Sequence, residues 1–191
     1  MTPELSSRCG FGLVGGQPLF LDLESDCYFL LEPEHEQRWL ARGGNRTRAT
    51  RVASPARALS LNPGRRPRLA EIAGVARLTL RTRRALGRKP LARLVDEALA
   101  PPTVPAATHD PAPAALHYLE ARRWVPIEPH CLTDSLALLT FLRDRGQGAT
   151  LVFGMKLHPF AAHCWLQAGD LLLNDRIDRI EGFTSVLAIA G

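Results

Sequence analysis

Apolar positions at the start of the chain occur in short runs that predict β-strands. Phe11–Val14 and Pro18–Leu23 are separated by Gly15-Gly16, a turn signal typical of hairpins. Cys27–Leu31 forms a third run, rich in residues that favour strands. A helix is expected over Pro33–Arg42, because proline and acidic residues favour the first turn of a helix. This part of the chain therefore predicts three strands followed by one helix.

Helical periodicity replaces this pattern in the middle of the chain. Apolar residues recur at intervals of three and four over Leu69–Leu86, Leu91–Leu99 and Ala114–Trp124. Residues 43–68 are punctuated by proline and glycine, and only Ala56–Leu61 suggests a short helix there.

The next helix is predicted over Cys131–Arg143, where Leu132, Leu136 and Leu139 share one face. Cys131 then lies at the helix N-terminus. The free N–H groups and the helix dipole stabilise a thiolate at this position and are able to hold an oxyanion.

Three short apolar runs follow and predict strands: Thr150–Met155, Ala162–Gln167 and Leu171–Asp175. Gly169 is the expected centre of a three-residue hairpin loop between the last two strands. In that register His163 lies opposite Asp175, and Trp165 lies opposite Leu173 on the same face. Directly opposed Cβ atoms are about 4.5–5.5 Å apart, within reach of a histidine–carboxylate hydrogen bond.

These positions predict a Cys–His–Asp site. Cys131 would be the nucleophile, His163 the base that takes its proton, and Asp175 the carboxylate that orients the imidazole. Strand alternation sends Cys164 to the opposite face from His163, which makes it a poor nucleophile, and it leaves Trp165 beside the site.

Each of these residues also has an ordinary structural interpretation. In that interpretation Cys131 is a small buried residue, His163 is a hydrogen-bonded structural histidine, and Asp175 ends a strand. A metal site is the other alternative, formed by Cys131 and His163 with nearby groups. The CxxC and HxxxH spacings that would support it are lacking, so we expect no metal and no cofactor.

Composition narrows the classes of protein that fit. Of 191 residues 46% are hydrophobic, enough for a packed core, and no apolar run reaches the length of a membrane span. The first ten residues lack a signal-peptide pattern, so a cytoplasmic protein with four free cysteines is expected.

The net charge of +5 is unevenly distributed. Residues 42–89 carry 14 basic side chains and one acidic side chain, whereas residues 1–41 and 90–191 are both net acidic. The basic segment contains no Phe, Tyr or Trp, so stacking on nucleic-acid bases is unsupported. Docking between two acidic modules, or contact with an acidic partner, explains the segment better than binding to nucleic acid.

Four C-terminal segments resemble the lasso-peptide biosynthesis B proteins, which are leader peptidases with a transglutaminase-like, papain-related core. The segments are His130–Leu138, Leu151–Gly154, Pro159–Trp165 and Leu173–Asp175. Thr133-Asp134 and Cys164 depart from the usual residues of that family. Pro18–Leu31 and the helix with Trp39 resemble the recognition element of enzymes that modify ribosomally made peptides, a winged-helix-like module of three strands and three helices.

The resemblance implies an α+β protein of two domains, a recognition element over residues 1–68 and a cysteine protease domain over 69–191. The leader of a precursor peptide would add as a strand to the recognition sheet. The residues implied in that contact are Cys27, Tyr28, Phe29, Leu30 and Leu31. Trp165 would line a pocket for a threonine of the leader. An ATP-dependent macrolactam synthetase is the implied partner.

Two other functions are compatible with the same sequence features. A transglutaminase-like acyltransferase would use the same three residues, with an amine in place of water as the acceptor. A nucleic-acid-binding winged-helix protein would use the basic segment and would bind with a strong dependence on salt.

Overall fold

A computed structural model describes residues 8–41, 52–101 and 110–191 of the chain, which folds as an α+β protein. The strands are β1 Cys9–Val14, β2 Gln17–Asp22, β3 Cys27–Leu30, β4 Arg57–Ala58, β5 Thr150–Leu157, β6 Phe160–Ala168, β7 Leu171–Leu172 and β8 Thr184–Ala190. The helices are α1 Pro33–Ala41, α2 Leu69–Leu86, α3 Leu91–Leu99, α4 Ala112–Arg122, α5 Cys131–Arg143 and α6 Ile177–Ile180. The described residues contain no helix that is both long enough and apolar enough to cross a membrane.

The N-terminal sheet is antiparallel, with the order β1-β2-β3, and the expected three strands followed by a helix are confirmed. Phe11, Phe20 and Phe29 lie opposite one another and form a row across the three strands. Trp39 of α1 makes edge contacts with Phe11 and Phe20, with ring centroids 4.8 and 5.4 Å apart. This aromatic row fastens α1 to one face of the sheet.

The opposite face of the N-terminal sheet packs on the rest of the protein. A second row, formed by Gly10, Leu21 and Tyr28, runs from β1 to β3 on that face. A Cβ atom at Gly10 would collide with the carbonyl oxygen of Val186 in β8. Leu21 is fully buried in a core that it shares with α2, α3, α5 and β5. The absence of a side chain at Gly10 therefore allows the two sheets to approach closely.

The larger sheet has the order β4-β7-β6-β5-β8. Helix α5 packs against β6, and α2, α3 and α4 pack around α5. The sequence patterns did not predict β8, which pairs antiparallel with β5 and closes one edge of this sheet.

The helix suggested for Ala56–Leu61 is wrong. The chain is extended here, and β4 pairs in parallel with β7. The N–H of Leu59 donates to the carbonyl oxygen of Leu172 at 3.0 Å, and the Arg57 guanidinium bonds the Asp170 carboxylate at 2.9 Å. Pairing with a distant strand satisfies the backbone groups of this segment better than one isolated helical turn would.

The predicted hairpin register is wrong by one residue. Gln167 pairs with Leu172 and Ala168 with Leu171, so the turn has two residues rather than three. Gly169 occupies the first turn position with a φ of +60°, the conformation that a type II′ turn requires. The ladder ends at Leu172, so neither His163 with Asp175 nor Trp165 with Leu173 is a ladder pair.

Candidate active site

Cys131 occupies the first turn of α5. His130 precedes it in an extended conformation, and the first helical hydrogen bond runs from the Asp134 N–H to the His130 carbonyl at 2.9 Å. The N–H groups of the first turn, including that of Cys131, therefore have no partner within the helix. The Cys131 side chain is exposed, so it is accessible to a substrate.

Asp134 anchors this end of α5. Its carboxylate accepts hydrogen bonds from Nε and Nη2 of Arg122 at 2.8 and 3.3 Å. Arg122 is buried and also donates to the carbonyl oxygens of Val125 and Ile127. This bidentate ion pair ties the start of α5 to α4 and the loop that connects them.

His163 and Asp175 form a direct hydrogen bond. The Nε2 atom of His163 lies 2.5 Å from Oδ2 of Asp175. The second Asp175 oxygen accepts the N–H of Arg176 at 2.8 Å, which orients the carboxylate. The other ring nitrogen of His163, Nδ1, is left for Cys131. The structure thus brings together all three residues of the predicted Cys–His–Asp set.

The electrostatics of Cys131 favour a thiolate. Interactions with the Cys164 thiol and with His163 outweigh the partial desolvation of the sulfur and lower the pKa of Cys131 to about 4. The hydrogen bond to Asp175, followed by the one to Cys131, raises the pKa of His163 to about 9. Between these values the pair exists as thiolate and imidazolium, the reactive form of a nucleophilic cysteine.

A polar network behind Cys131 fixes α5 relative to the strands. Ser135, one turn after Cys131, donates to the Cys164 carbonyl at 3.3 Å and accepts from Nδ2 of Asn174 at 2.8 Å. Oδ1 of Asn174 accepts the Leu166 N–H at 2.7 Å. The side chain of Asn174 thus continues the ladder after β7 has ended and directs the backbone so that Asp175 reaches His163.

Cys164 has a role that the sequence patterns did not predict. It lies on the α5 face of β6, opposite to His163 as expected, and is 3% exposed. Its hydrogen bond to Cys131, together with burial, raises the pKa of the Cys164 thiol well above the usual value. The Cys164 thiol is therefore protonated beside the Cys131 thiolate, and its sulfur lies 3.9 Å from the Ser135 hydroxyl. Before the structure, only the position of Cys164 next to His163 in the sequence connected it with the site.

The expectation that Trp165 lines a substrate pocket does not fit its position. Trp165 is 2% exposed, and its indole N–H donates to Oε1 of Gln167 at 3.0 Å. The ring fills the space beside Gly154 and lies 6.2 Å from the His163 ring, centroid to centroid. Trp165 packs behind His163 and presents almost no surface to a peptide.

The predicted leader-binding residues lie on the N-terminal sheet. Cys27, Tyr28, Phe29 and Leu30 form β3, and Leu31 follows it. Among the described strands β3 pairs with β2 alone, so it is an edge of its sheet.

Groups capable of binding a metal are not clustered in the described residues: no three His, Cys, Asp or Glu side chains form such a set. All four cysteines are free thiols.

The basic segment divides into two parts. Arg57 pairs with Asp170, and Arg65 pairs with the buried carboxylate of Glu120 at 2.5 Å. Four arginines of α2 and one that follows it are exposed and form no ion pair with an acidic side chain of the described residues: Arg77, Arg81, Arg83, Arg84 and Arg88.

Comparison with known proteins bears on this site. The family model described as the transglutaminase-like superfamily matches residues 74–188, more than half of the chain. The chain belongs to the transglutaminase-like superfamily. The matched range contains Cys131, His163 and Asp175, and it confirms the transglutaminase-like resemblance drawn from the sequence motifs.

One curated relative adds to the family assignment. The Microcin J25-processing protein McjB of Escherichia coli is 42% identical over 45 residues, which cover 24% of this chain and 22% of the relative. The match thus spans about a fifth of the relative's length. No solved structure matches the chain significantly.

Proposed function

We propose that this transglutaminase-like protein is a leader peptidase of lasso-peptide biosynthesis. It binds the leader of a ribosomally made precursor and hydrolyses the bond between leader and core. The observation that carries the proposal is the electrostatic coupling of Cys131, at a helix N-terminus, to a histidine that hydrogen-bonds Asp175. The similarity to a microcin-processing protein supports a peptide as the substrate.

The chemistry follows from the ion pair. The Cys131 thiolate attacks the carbonyl carbon of the scissile bond, and the resulting oxyanion is stabilised by N–H groups of the first turn of α5. Imidazolium His163 gives its proton to the departing nitrogen, which leaves as the free α-amine of the core. The leader remains attached to Cys131 as a thioester.

Hydrolysis completes the cycle. Neutral His163 takes a proton from water as the water oxygen adds to the thioester carbonyl. The carbon–sulfur bond then breaks, which returns the Cys131 thiolate and releases the leader as a carboxylic acid. Asp175 keeps the imidazole in one orientation throughout and stabilises its protonated form. The core α-amine is then the nucleophile that a separate ATP-dependent synthetase uses to close a macrolactam.

Leader binding is proposed at the edge of β3. An added strand would hydrogen-bond to the backbone of Cys27–Leu30, and its alternate side chains would contact the neighbouring surface of α1. Leu40 of α1 is 41% exposed, and Leu30, on the other face of β3, is 49% exposed, so apolar surface is available on both sides of this edge. Binding at β3 raises the effective concentration of the scissile bond near Cys131.

The exposed arginines of α2 are proposed to meet an acidic segment of the leader or of the synthetase. A triple substitution to Glu would weaken that contact; it replaces Arg81, Arg83 and Arg84. The loss of affinity would become smaller as the salt concentration rises, because salt screens the charges. If the affinities for the leader and for the synthetase are both unchanged, the arginines of α2 do not form the proposed contact. A gel shift with duplex DNA at about 0.15 M salt tests the nucleic-acid alternative.

The decisive experiment is cleavage of the precursor peptide encoded in a neighbouring reading frame. Cys131→Ala is expected to lower the rate by about 10³-fold or more, whereas Cys164→Ala keeps the nucleophile and remains active. An active Cys131→Ala, or loss confined to Cys164→Ala, would contradict the assignment.

Mass spectrometry of the released leader separates the two acceptors. A free carboxylic acid indicates hydrolysis, as proposed. A leader amide formed with an added amine, at the expense of the acid, would favour the acyltransferase.

A further inference from the structure

Tyr28 belongs to the N-terminal sheet, yet its side chain points toward the catalytic half of the protein. It lies in the same cross-strand row as Gly10 and Leu21, on the face that packs against β8 and the core. Phe29, the next residue, points to the opposite face and stacks on Phe20 with ring centroids 5.2 Å apart.

The ring of Tyr28 contacts Phe160. The two rings meet edge to face, with centroids 6.2 Å apart and an interplanar angle of 70°. Phe160 is the first residue of β6, and strand alternation places it on the same face as Cys164, the donor to Cys131. The aromatic pair therefore lies at the start of β6, about 13 Å along the strand from Cys164 and on the same face.

The electrostatic environment of the Tyr28 phenol includes both thiols of the candidate site. Burial, Asp26, and then the thiols of Cys164 and Cys131 raise the pKa of Tyr28 to about 12. Charge on either thiol is thus felt at the Tyr28 hydroxyl.

Both rings retain apolar surface exposed to solvent. Tyr28 is 37% exposed and Phe160 is 56% exposed, and Trp124 is the other large aromatic exposed among the described residues. Two exposed rings in mutual contact beside a nucleophile form a surface suited to an apolar side chain of a substrate.

We propose that Tyr28 and Phe160 form an aromatic wall of the catalytic cleft that selects an apolar side chain on the leader side of the scissile bond. This rests on the proposed peptidase function. The leader side follows from the position of Tyr28 on β3, because a peptide paired with β3 brings leader residues past Tyr28 before it reaches Cys131. One strand of the recognition sheet thereby contributes to both leader binding and cleavage specificity.

Two peptidyl chloromethyl ketones test the wall without the natural substrate. Acetyl-Leu-Gly and acetyl-Gly-Gly chloromethyl ketones differ in one leader-side residue, and the Cys131 thiolate displaces chloride from each to form a thioether. Each rate is divided by the rate of the same variant with iodoacetamide. Burial of a leucine side chain against the wall predicts a preference of about tenfold for the leucine probe.

Tyr28→Ala and Phe160→Ala are each expected to reduce this preference to about threefold or less, since each removes one ring of the wall. Tyr28→Phe keeps the ring and is expected to keep the preference. Trp124→Ala is the matched control, because Trp124 is 56% exposed and is not part of the Tyr28–Phe160 ring pair. A preference that is absent in the native protein, or unchanged in both alanine variants, overturns the wall.

The proposed peptidase function and the aromatic wall are contradicted by different results. If the leucine preference follows the two rings but the precursor is not cleaved, the wall stands and the peptidase assignment is wrong. If the precursor is cleaved and the preference ignores both rings, the peptidase stands and the wall is wrong.

Discussion

Asp175 holds His163 from outside the β-ladder: Nε2 and Oδ2 are 2.5 Å apart, although β7 ends three residues earlier at Leu172. Asn174 makes this contact possible. By accepting the Leu166 N–H with its side chain, it occupies the place of the next ladder carbonyl and frees the backbone to turn toward His163. The carboxylate is therefore positioned by a side-chain hydrogen bond and not by strand pairing.

Asn174→Ala is expected to lower both stability and activity. It leaves the Leu166 N–H without its partner and takes one of its partners from the Ser135 hydroxyl, at a cost of about 1–3 kcal/mol. The displaced Asp175 should also lower kcat by at least about tenfold, as a misplaced catalytic group does. Thermal unfolding and kcat for the precursor measure the two effects.

Asn174→Asp separates the two contacts of the side chain, because it keeps the acceptor for Leu166 and loses the donor to Ser135. Asn62→Ala is the matched control, since its side chain accepts only the exposed N–H of Gly64 in a turn. A stability and kcat for Asn174→Ala equal to those of Asn62→Ala would contradict this role.

The activity is expected to be bell-shaped in pH. Below about pH 4 Cys131 takes up its proton, and above about pH 9 His163 loses its proton, so the ion pair exists between these limits. Asp175→Asn removes the largest cause of the raised His163 pKa, and the alkaline limb should move to lower pH. Profiles of kcat/KM against pH measure both limbs, and an alkaline limb that does not move in Asp175→Asn would argue against His163 as its source.

Cys164→Ala is expected to raise the pKa of Cys131, because the Cys164 thiol is the largest cause of its depression. Iodoacetamide should then alkylate Cys131 more slowly at pH 5 than in the native protein, while the rates converge at pH 8. The ultraviolet absorbance of the thiolate gives an independent titration.

Cys164→Ser keeps a donor of similar size, so the pKa of Cys131 in this variant should lie between its values in the native protein and in Cys164→Ala. Identical titration curves for the native protein and Cys164→Ala would show that the Cys164 thiol does not stabilise the Cys131 thiolate.

Gly10→Ala is expected to destabilise the protein by about 1–3 kcal/mol, because the added Cβ would collide with the Val186 carbonyl. Gly74→Ala is the matched control. Gly74 lies within α2 with nothing within 4 Å of the added atom, so the same change should stabilise the protein by about 0.5–1 kcal/mol. Equal effects of the two substitutions in chemical denaturation would contradict the close approach of the sheets.

Local patterns predicted most of the elements, and they predicted the helix that begins at Cys131. They failed where distant parts of the chain decide the structure. Arg57–Ala58 became a strand because the edge of β7 was available to it, and no local signal shows this. The hairpin register depended on whether Gly169 is the first residue of a two-residue turn or the middle residue of a three-residue turn. A glycine at this position is compatible with both turns, so the sequence does not distinguish them.

The candidate site shows the same division between local and distant information. Residue types and chain order predicted Cys131, His163 and Asp175, but the assumed ladder pairing was wrong and a side-chain contact replaces it. The burial of Trp165 depends on Gly154 in a neighbouring strand, which leaves room for the ring. The contact of Tyr28 with Phe160 joins residues 132 positions apart, so only the folded chain reveals it.

The pairing of β4 with β7 determines where chimeras with related proteins can be joined. Residues 52–68 precede the family match, yet Ala53 accepts a hydrogen bond from the buried Gln167, and Leu59 donates to Leu172 in the hairpin that leads to Asn174 and Asp175. An exchange of the proposed leader-recognition segment at residue 68 would import a foreign strand beside the hairpin that leads to the candidate site. A junction between residues 41 and 52 leaves that strand with its native partner, so N-terminal segments are best exchanged there.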